Sequence, residues 1–280
     1  MVVIGGGTAG LEAACTAAEV GCNTFLLEKG NELGGLASLI SRIPAKNRLA
    51  DFPHYLMHRA EQLENLYIFK NTEGTPENIR KFHPNIIVSS TGSAPLLPPI
   101  TGLKDRIDNE NYNIYSILGM ISHINDFPKD LEGKKVVVVG GGAVGLDVVE
   151  FFADRNADIS IVEMMDQIGR DLDPVSKNDT KTMMKKHNVH QLTKTALLEV
   201  KDSSFLVKGD GEPYELPFEY GFVCLGMRAQ GQLYQSLTEE FSSEDVEIMN
   251  IGDSQRARRI IDGTQEGRNI LTILEQKGYL

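Results

Sequence analysis

An α/β fold built from two copies of one strand-turn-helix-strand unit is predicted by three observations. The first is self-similarity: Met1-Val2-Val3-Ile4-Gly5-Gly6-Gly7-Thr8-Ala9-Gly10-Leu11 returns as Val136-Val137-Val138-Val139-Gly140-Gly141-Gly142-Ala143-Val144-Gly145-Leu146, an offset of 135 residues. A repeat of this kind decides the fold before any single element is assigned. The second is that each copy runs through a helical stretch into another β-rich segment, Thr24-Phe25-Leu26-Leu27-Glu28 and Ile159-Ser160-Ile161-Val162-Glu163, whose closing glutamates keep the same offset. The third is the glycine spacing G-x-G-x-x-G between strand and helix in both copies.

The remaining elements follow in order. Residues 48 to 66 are predicted helical, with Leu49, Phe52, Leu56, Leu63 and Leu66 on roughly one face, and Asn85 to Ser90 form a buried strand. Pro95, Pro98, Pro99 and Gly102 then break the pattern and mark a crossing between domains. Residues 195 to 225 alternate short β-rich runs around Gly209-Asp210-Gly211, the pattern of an antiparallel meander. Glu247 to Ile251 reads as a further strand and residues 256 to 277 as a last helix. The simplest architecture is discontinuous: residues 1–105 and 226–280 form one domain, and residues 106–225 are inserted as the other.

Composition narrows the function classes. A chain of 280 residues holds one large or two modest domains, and its 41% hydrophobic content supplies a sizeable core. Lys+Arg 28 against Asp+Glu 39 leaves a net charge of −11, so a phosphate backbone is repelled and nucleic acid is not an expected partner. No apolar run approaches the roughly 18 residues a bilayer crossing needs, so no membrane span is expected. Cys15, Cys22 and Cys224 show neither C-x-x-C spacing nor the density of a disulfide scaffold, and with Met1 running straight into Val2-Val3-Ile4 no signal peptide is expected. A reducing cytoplasm is the expected compartment. Oligomeric state is not legible.

The glycine turns carry the chemistry. In Gly5-x-Gly7-x-x-Gly10 the first glycine permits the turn, the second lets the backbone approach a pyrophosphate, and the third lets the helix pack on the strand. The helix N-terminus then offers unpaired N–H groups and a partial positive charge to an anionic cofactor. Gly140, Gly142 and Gly145 repeat the arrangement, giving two Rossmann-like dinucleotide-binding domains. Glu28 and Glu163 end their strands where a carboxylate accepts hydrogen bonds from an adenosine ribose diol. Such a carboxylate also repels a 2′-phosphate. Met164 to Gly169 supply no cation after Glu163, so NADH is expected over NADPH at the second site, with Arg170 counting the other way.

These residues resemble a known family, the two-dinucleotide flavoprotein reductases, and within it the C-terminal FAD and NAD(P) portion of the 2,4-dienoyl-CoA reductase, 2-enoate reductase and NADH:flavin oxidoreductase group. The resemblance rests on the first glycine turn, Glu28-Lys29-Gly30, Leu33-Gly34-Gly35, Ser90-Thr91-Gly92-Ser93, the second glycine turn, Leu225-Gly226 and Ile251-Gly252-Asp253. It implies that Gly5, Gly7, Thr8, Ala9, Gly10, Glu28, Lys29, Gly34, Gly35, Leu36, Thr91, Gly92, Gly252 and Asp253 surround FAD, with Asp253 near its ribityl and pyrophosphate. It likewise implies that Gly140, Gly142, Ala143, Val144, Gly145 and Glu163 hold the nicotinamide dinucleotide. Two positions depart from the pattern: Ala257 stands where the family leads one to expect proline, and Gly263 falls inside the expected last helix, where glycine costs about 1 kcal/mol against alanine.

The resemblance further implies an NADH-dependent flavoprotein oxidoreductase module that passes hydride to FAD, with no catalytic side chain of its own. Relatives of the group carry an FMN-binding β/α barrel and a cysteine-ligated iron-sulfur cluster N-terminal to this region. Neither is encoded here, and the first copy begins flush with its strand at Met1 whereas Gly133-Lys134-Lys135 introduces the second. A piece of a larger enzyme, joined to or partnered by that barrel, is therefore expected. Three scattered cysteines suit neither a cluster, which takes four ligands, nor a redox dithiol, and Cys15 is expected to be a packing residue. The six histidines form no metal set. A stand-alone NADH oxidase or ferredoxin reductase-like enzyme, and a non-catalytic scaffold that binds only ADP or FAD, remain open beside this reading.

Overall fold

The computed structural model describes residues 1–279. The chain divides into two compact units, one of Met1–Arg42, Lys46–Ala94 and the segment from Arg228 onward, the other of Ile43–Ala45 and Pro95–Met227. The second unit thus begins before the expected residue 106. The physical reason is Leu103: it is fully buried with Ile107, Val137 and Val200 in the core of that unit.

The first unit runs β1 (Val2–Ile4), α1 (Thr8–Glu19), β2 (Thr24–Leu27), α2 (Gly35–Ile40), α3 (Asp51–Glu61), β3 (Leu66–Phe69), α4 (Pro76–Arg80) and β4 (Ile86–Ser89). The chain leaves through β5 (Ser93–Pro95). The second unit then builds α5 (Leu103–Arg106), β6 (Ile114–Tyr115), α6 (Ile117–Ser122), β7 (Lys135–Val139), α7 (Ala143–Ala153), β8 (Asp158–Val162), α8 (Pro174–Lys186), β9 (His190–Leu192), β10 (Ala196–Val200), β11 (Ser204–Lys208), β12 (Tyr214–Pro217) and β13 (Tyr220–Val223). After β14 (Met227–Ala229) the first unit is completed by α9 (Gln232–Glu240), β15 (Glu247–Asn250), α10 (Ile260–Arg268) and α11 (Ile270–Gln276).

Each unit centres on a five-stranded parallel sheet, ordered β15-β4-β1-β2-β3 in the first and β6-β13-β7-β8-β9 in the second. Parallel strands buried on both faces read as unbroken apolar runs, which is why Val2-Val3-Ile4 and Val136 to Val139 lack polar alternation. In the first unit Val3 packs with Leu11, Ala14 and Val88 on the α1 face, while Val2 and Ile4 pack with Leu27, Ile87, Leu237 and Phe241 on the other. In the second, Val137 and Val139 meet Phe205, Val207 and Phe218. There Phe152 also lies 4.8 Å, ring to ring, from Phe222.

Three element expectations need correction. The helix expected over 48–66 is a 3-10 turn (Pro44–Ala50) followed by α3, and Leu66 opens β3; Leu56 and Leu66 share one core, so their common burial reflects a helix and a strand facing the same interior. The meander expected over 195–225 holds only for the antiparallel β10-β11-β12, because Tyr220 to Val223 pair in parallel with Val136 to Val139. The last helix is divided at Asn269, and residues 255–259 are a loop.

Gly263 also has a reason that composition does not show. A Cβ there would lie 3.2 Å from the Gly252 Cα and 3.3 Å from the Ala9 Cβ, and one on Gly267 would lie 2.6 Å from the Ala9 carbonyl. The two glycines, one helical turn apart, let α10 settle directly on the α1 backbone.

Candidate functional site

The two glycine turns are built alike. Gly5 and Gly140 have φ of +102° and +109°, a conformation that favours glycine. A Cβ on Gly5 would strike the Ser90 carbonyl and one on Gly140 the Cys224 carbonyl. Gly5 N–H donates to the Leu27 carbonyl and Gly140 N–H to the Val162 carbonyl, both at 2.8 Å. Gly10 and Gly145 abut the carbonyls of Gly5 and Gly140. These four glycines are thus required by close backbone contacts within the chain.

The middle glycines are not. Gly7 and Gly142 have ordinary extended backbone, φ −72° and −80°, and a Cβ on Gly7 meets nothing nearer than 4.0 Å, one on Gly142 nothing at all. Nothing in the chain itself forbids a side chain there. Both residues stand at the N-cap of a helix, α1 and α7, with no side chain capping the first N–H groups. The open space, the uncapped donors and the helix dipole together fit a diphosphate. Thr8 and Ala9 are half-buried in the first turn of α1; in α7 Ala143 is exposed and Val144 half-buried.

Each glutamate is locked onto its own turn. Glu28 accepts from Gly6 N–H at 2.7 Å through Oε2 and from Gly30 N–H at 2.6 Å through Oε1. Glu163 accepts from Gly141 N–H at 2.7 Å through Oε2 and from Met165 N–H at 2.7 Å through Oε1. The backbone bonds fix both carboxylates beside the glycine turn, and each oxygen keeps a further lone pair for a hydroxyl.

The correspondence extends to a residue that the sequence reading passed over. Gly34 N–H donates to the Gly6 carbonyl and Gly169 N–H to the Gly141 carbonyl, both at 2.7 Å, with φ of +96° and +65°. The 135-residue offset already pairs Leu33-Gly34 with Ile168-Gly169 and was the available signal. One step on, Gly35 sits where a Cβ would come within 3.0 Å of the Gly7 Cα, while the second unit has the exposed Arg170. Lys29 is exposed and Leu36 half-buried.

The rest of the first-unit set lies on two connected segments. Thr91 Oγ1 donates to the Gln230 carbonyl at 2.6 Å, and Gln230 N–H returns a bond to the Gly92 carbonyl at 2.9 Å. Gly92 has φ +73° with open space where a Cβ would stand. The Asp253 carboxylate accepts from Ser93 Oγ and from Arg258 N–H, each at 3.0 Å. A Cβ on Gly252 would lie 2.8 Å from the Ala9 Cβ, which places Asp253 next to the start of α1.

Burial pushes the thiol of Cys15 up to about 11 and that of Cys224 up to about 12. Cys15 is fully buried, with Sγ 3.7 Å from the Leu56 carbonyl, the packing role expected of it. Among the described residues no three His, Cys, Asp or Glu side chains are arranged to hold a metal, and no helix is long and apolar enough to cross a membrane.

The family profile described as pyridine nucleotide-disulphide oxidoreductase matches residues 1–248. Among curated proteins the chain is 28% identical over 268 residues to an NADH oxidase of Thermoanaerobacter brockii, covering 95% of this chain and 40% of the relative. It is 27% identical over 305 residues to a metal reductase of Desulforamulus reducens, covering 96% of this chain and 43% of that protein. Among solved structures a 2-naphthoyl-CoA reductase in complex with 2-naphthoyl-CoA superimposes with a TM-score of 0.81 at 23% identity, over 96% of this chain and 39% of the other. The chain therefore spans about two fifths of the length of these two curated relatives.

Proposed function

Because the chain belongs to the pyridine nucleotide-disulphide oxidoreductase family, we propose that its first unit holds FAD, its second holds NADH, and the two form an electron-entry module. The observation that carries this reading is the pair of middle glycines, Gly7 and Gly142, whose lack of a side chain is explained by no atom of the chain. Gly5, Gly10, Gly34 and Gly35 shape the first cradle, with Glu28 for the ribose and Thr91, Gly92, Gly252 and Asp253 towards the flavin. Gly140, Gly145, Gly169 and Glu163 shape the second.

When bound, nicotinamide and flavin together supply hydride transfer, which requires stacked rings rather than a nucleophile or an acid-base pair. The chain's own contribution is to bind and orient. The uncapped N–H groups of α1 and α7 neutralise diphosphate charge, which an acidic protein cannot do with its overall field. Glu28 and Glu163 select adenosine by its ribose, and Asp253 is held ready for a hydroxyl-bearing linker.

Relatives named NADH oxidase, metal reductase and 2-naphthoyl-CoA reductase are more than twice as long as the matched region. We infer that this module is one portion of such a longer reductase, handing electrons to an iron-sulfur and FMN-barrel portion and on to an activated C=C bond. Purified protein reconstituted with FAD should show flavin absorbance, with FAD identified by mass spectrometry, and should reduce a dye acceptor with NADH. Absence of flavin binding, or inertness of the flavin-loaded protein towards NADH, overturns the reading. A native polypeptide of about 31 kDa in cell extract, the mass of this chain alone, overturns the larger enzyme and leaves the module.

A further inference from the structure

We propose that Glu266 is a positioning residue for the flavin end of the first cradle, a proposal that rests on FAD being held there. Glu266 lies in the second turn of α10. Its Oε2 accepts from Gly252 N–H at 2.7 Å and its Oε1 from Arg258 Nη2 at 2.5 Å. One carboxylate thereby clamps both ends of the segment 252–258. Within the clamp, Arg258 N–H donates to Asp253 Oδ1, and Ser93 Oγ donates to Asp253 Oδ2 from the neighbouring segment. Asp253 Oδ1 is thus bonded to the backbone of the residue whose guanidinium Glu266 grips, so the two carboxylates are linked through the single residue Arg258.

The clamp is separable from the fold. Docking of α10 rests on the backbone approach at Gly263 and Gly267, and the short turn at Gly252–Ser254 is tied independently by Ser254 Oγ, whose one proton has the Ile251 carbonyl at 2.6 Å and Asn250 Oδ1 at 2.7 Å as acceptors. Removing the Glu266 charge leaves those bonds intact. Glu266→Gln keeps one acceptor oxygen and turns an amide donor towards either the Gly252 N–H or the Arg258 guanidinium, so one end of the clamp opens. A preorganised group contributes most when it is already in place at binding, and the effect should fall on the part of the ligand that Asp253 meets.

The experiment compares two ligands at one site. Flavin fluorescence quenching measures Kd for FAD, and displacement of that FAD by ADP measures Ki for ADP, which carries the adenosine and diphosphate but lacks the ribityl chain. Glu266→Gln should weaken FAD at least tenfold while leaving the ADP Ki within twofold, with thermal unfolding of the flavin-free protein near that of wild type. Equal losses for both ligands, or no loss of either, overturns the proposal. Should Glu266→Gln fail to fold, Arg258→Gln, which leaves the Gly252 bond standing, is judged on the same two criteria. Wild-type protein that binds ADP but no FAD overturns the flavin reading itself, and this proposal with it.

Discussion

At the scale of single residues, six glycines of identical sequence spacing divide into two kinds. At Gly5, Gly10, Gly140 and Gly145 carbonyl oxygens occupy the space of a side chain, whereas at Gly7 and Gly142 a Cβ would meet no atom of the chain nearer than 4.0 Å. The spacing was legible in the sequence; the division was not, since it depends on the strand-ending carbonyls of Ser90 and Cys224, 85 and 84 residues further along. The glutamates likewise were legible as strand ends, whereas the backbone bonds that lock them were not. From Glu163 one prediction follows. With NADH held in the second unit as proposed, a 2′-phosphate would bring further negative charge to the Glu163 carboxylate, and about 1.4 kcal/mol of repulsion is tenfold in affinity. The KM for NADPH should exceed that for NADH by roughly tenfold, and raised ionic strength should narrow the gap by screening. A KM favouring NADPH refutes the assignment, and Arg170 becomes the residue to examine.

At the scale of elements, apolar pattern located the interior faces but not always the element that carries them. Leu56 and Leu66 obey a helical spacing yet belong to α3 and β3, because any two elements facing one core share its apolar residues. Tyr220 to Val223 was read into the meander from proximity in sequence, and parallel pairing with Val136 to Val139 claims it instead. In α10 the helix propensity of Gly267 points the wrong way. Alanine gains about 1 kcal/mol intrinsically, but its Cβ would lie 2.6 Å from the Ala9 carbonyl and 3.0 Å from the Ala13 nitrogen. Both are backbone atoms that cannot swing aside. Overpacking of that kind typically costs about 1 to 3 kcal/mol, so Gly267→Ala should be less stable than wild type in urea unfolding. An unchanged or raised midpoint would show that α10 can stand off from α1 without loss.

At the scale of the whole molecule, the two units are complete folds of the same design, each with its own sheet, glycine turn and locked glutamate. Ligand binding should therefore be separable between them. Gly10→Ala, which forces a Cβ against the Gly5 carbonyl and Ser90 Oγ, should abolish FAD binding and leave NADH affinity within about twofold. Gly145→Ala, which does the same to the Gly140 carbonyl, should have the opposite outcome. Loss of both ligands in either variant would contradict independent cradles. Equilibrium dialysis with each nucleotide alone reads the result directly.

The repeat, the parallel α/β character and the identity of both turns were determined by the sequence alone, because a strand-turn-helix unit is a local object whose constraints lie within about thirty residues. Tertiary structure decided what local pattern cannot encode. It distinguished the glycines that packing demands from those it leaves open, set Glu266 and Arg258 around Asp253, assigned Tyr220 to Val223 to a parallel sheet, and gave Gly263 and Gly267 their purpose against α1. Each of those depends on atoms brought together from distant parts of the chain or from separate elements, where contact is set by folding rather than by spacing.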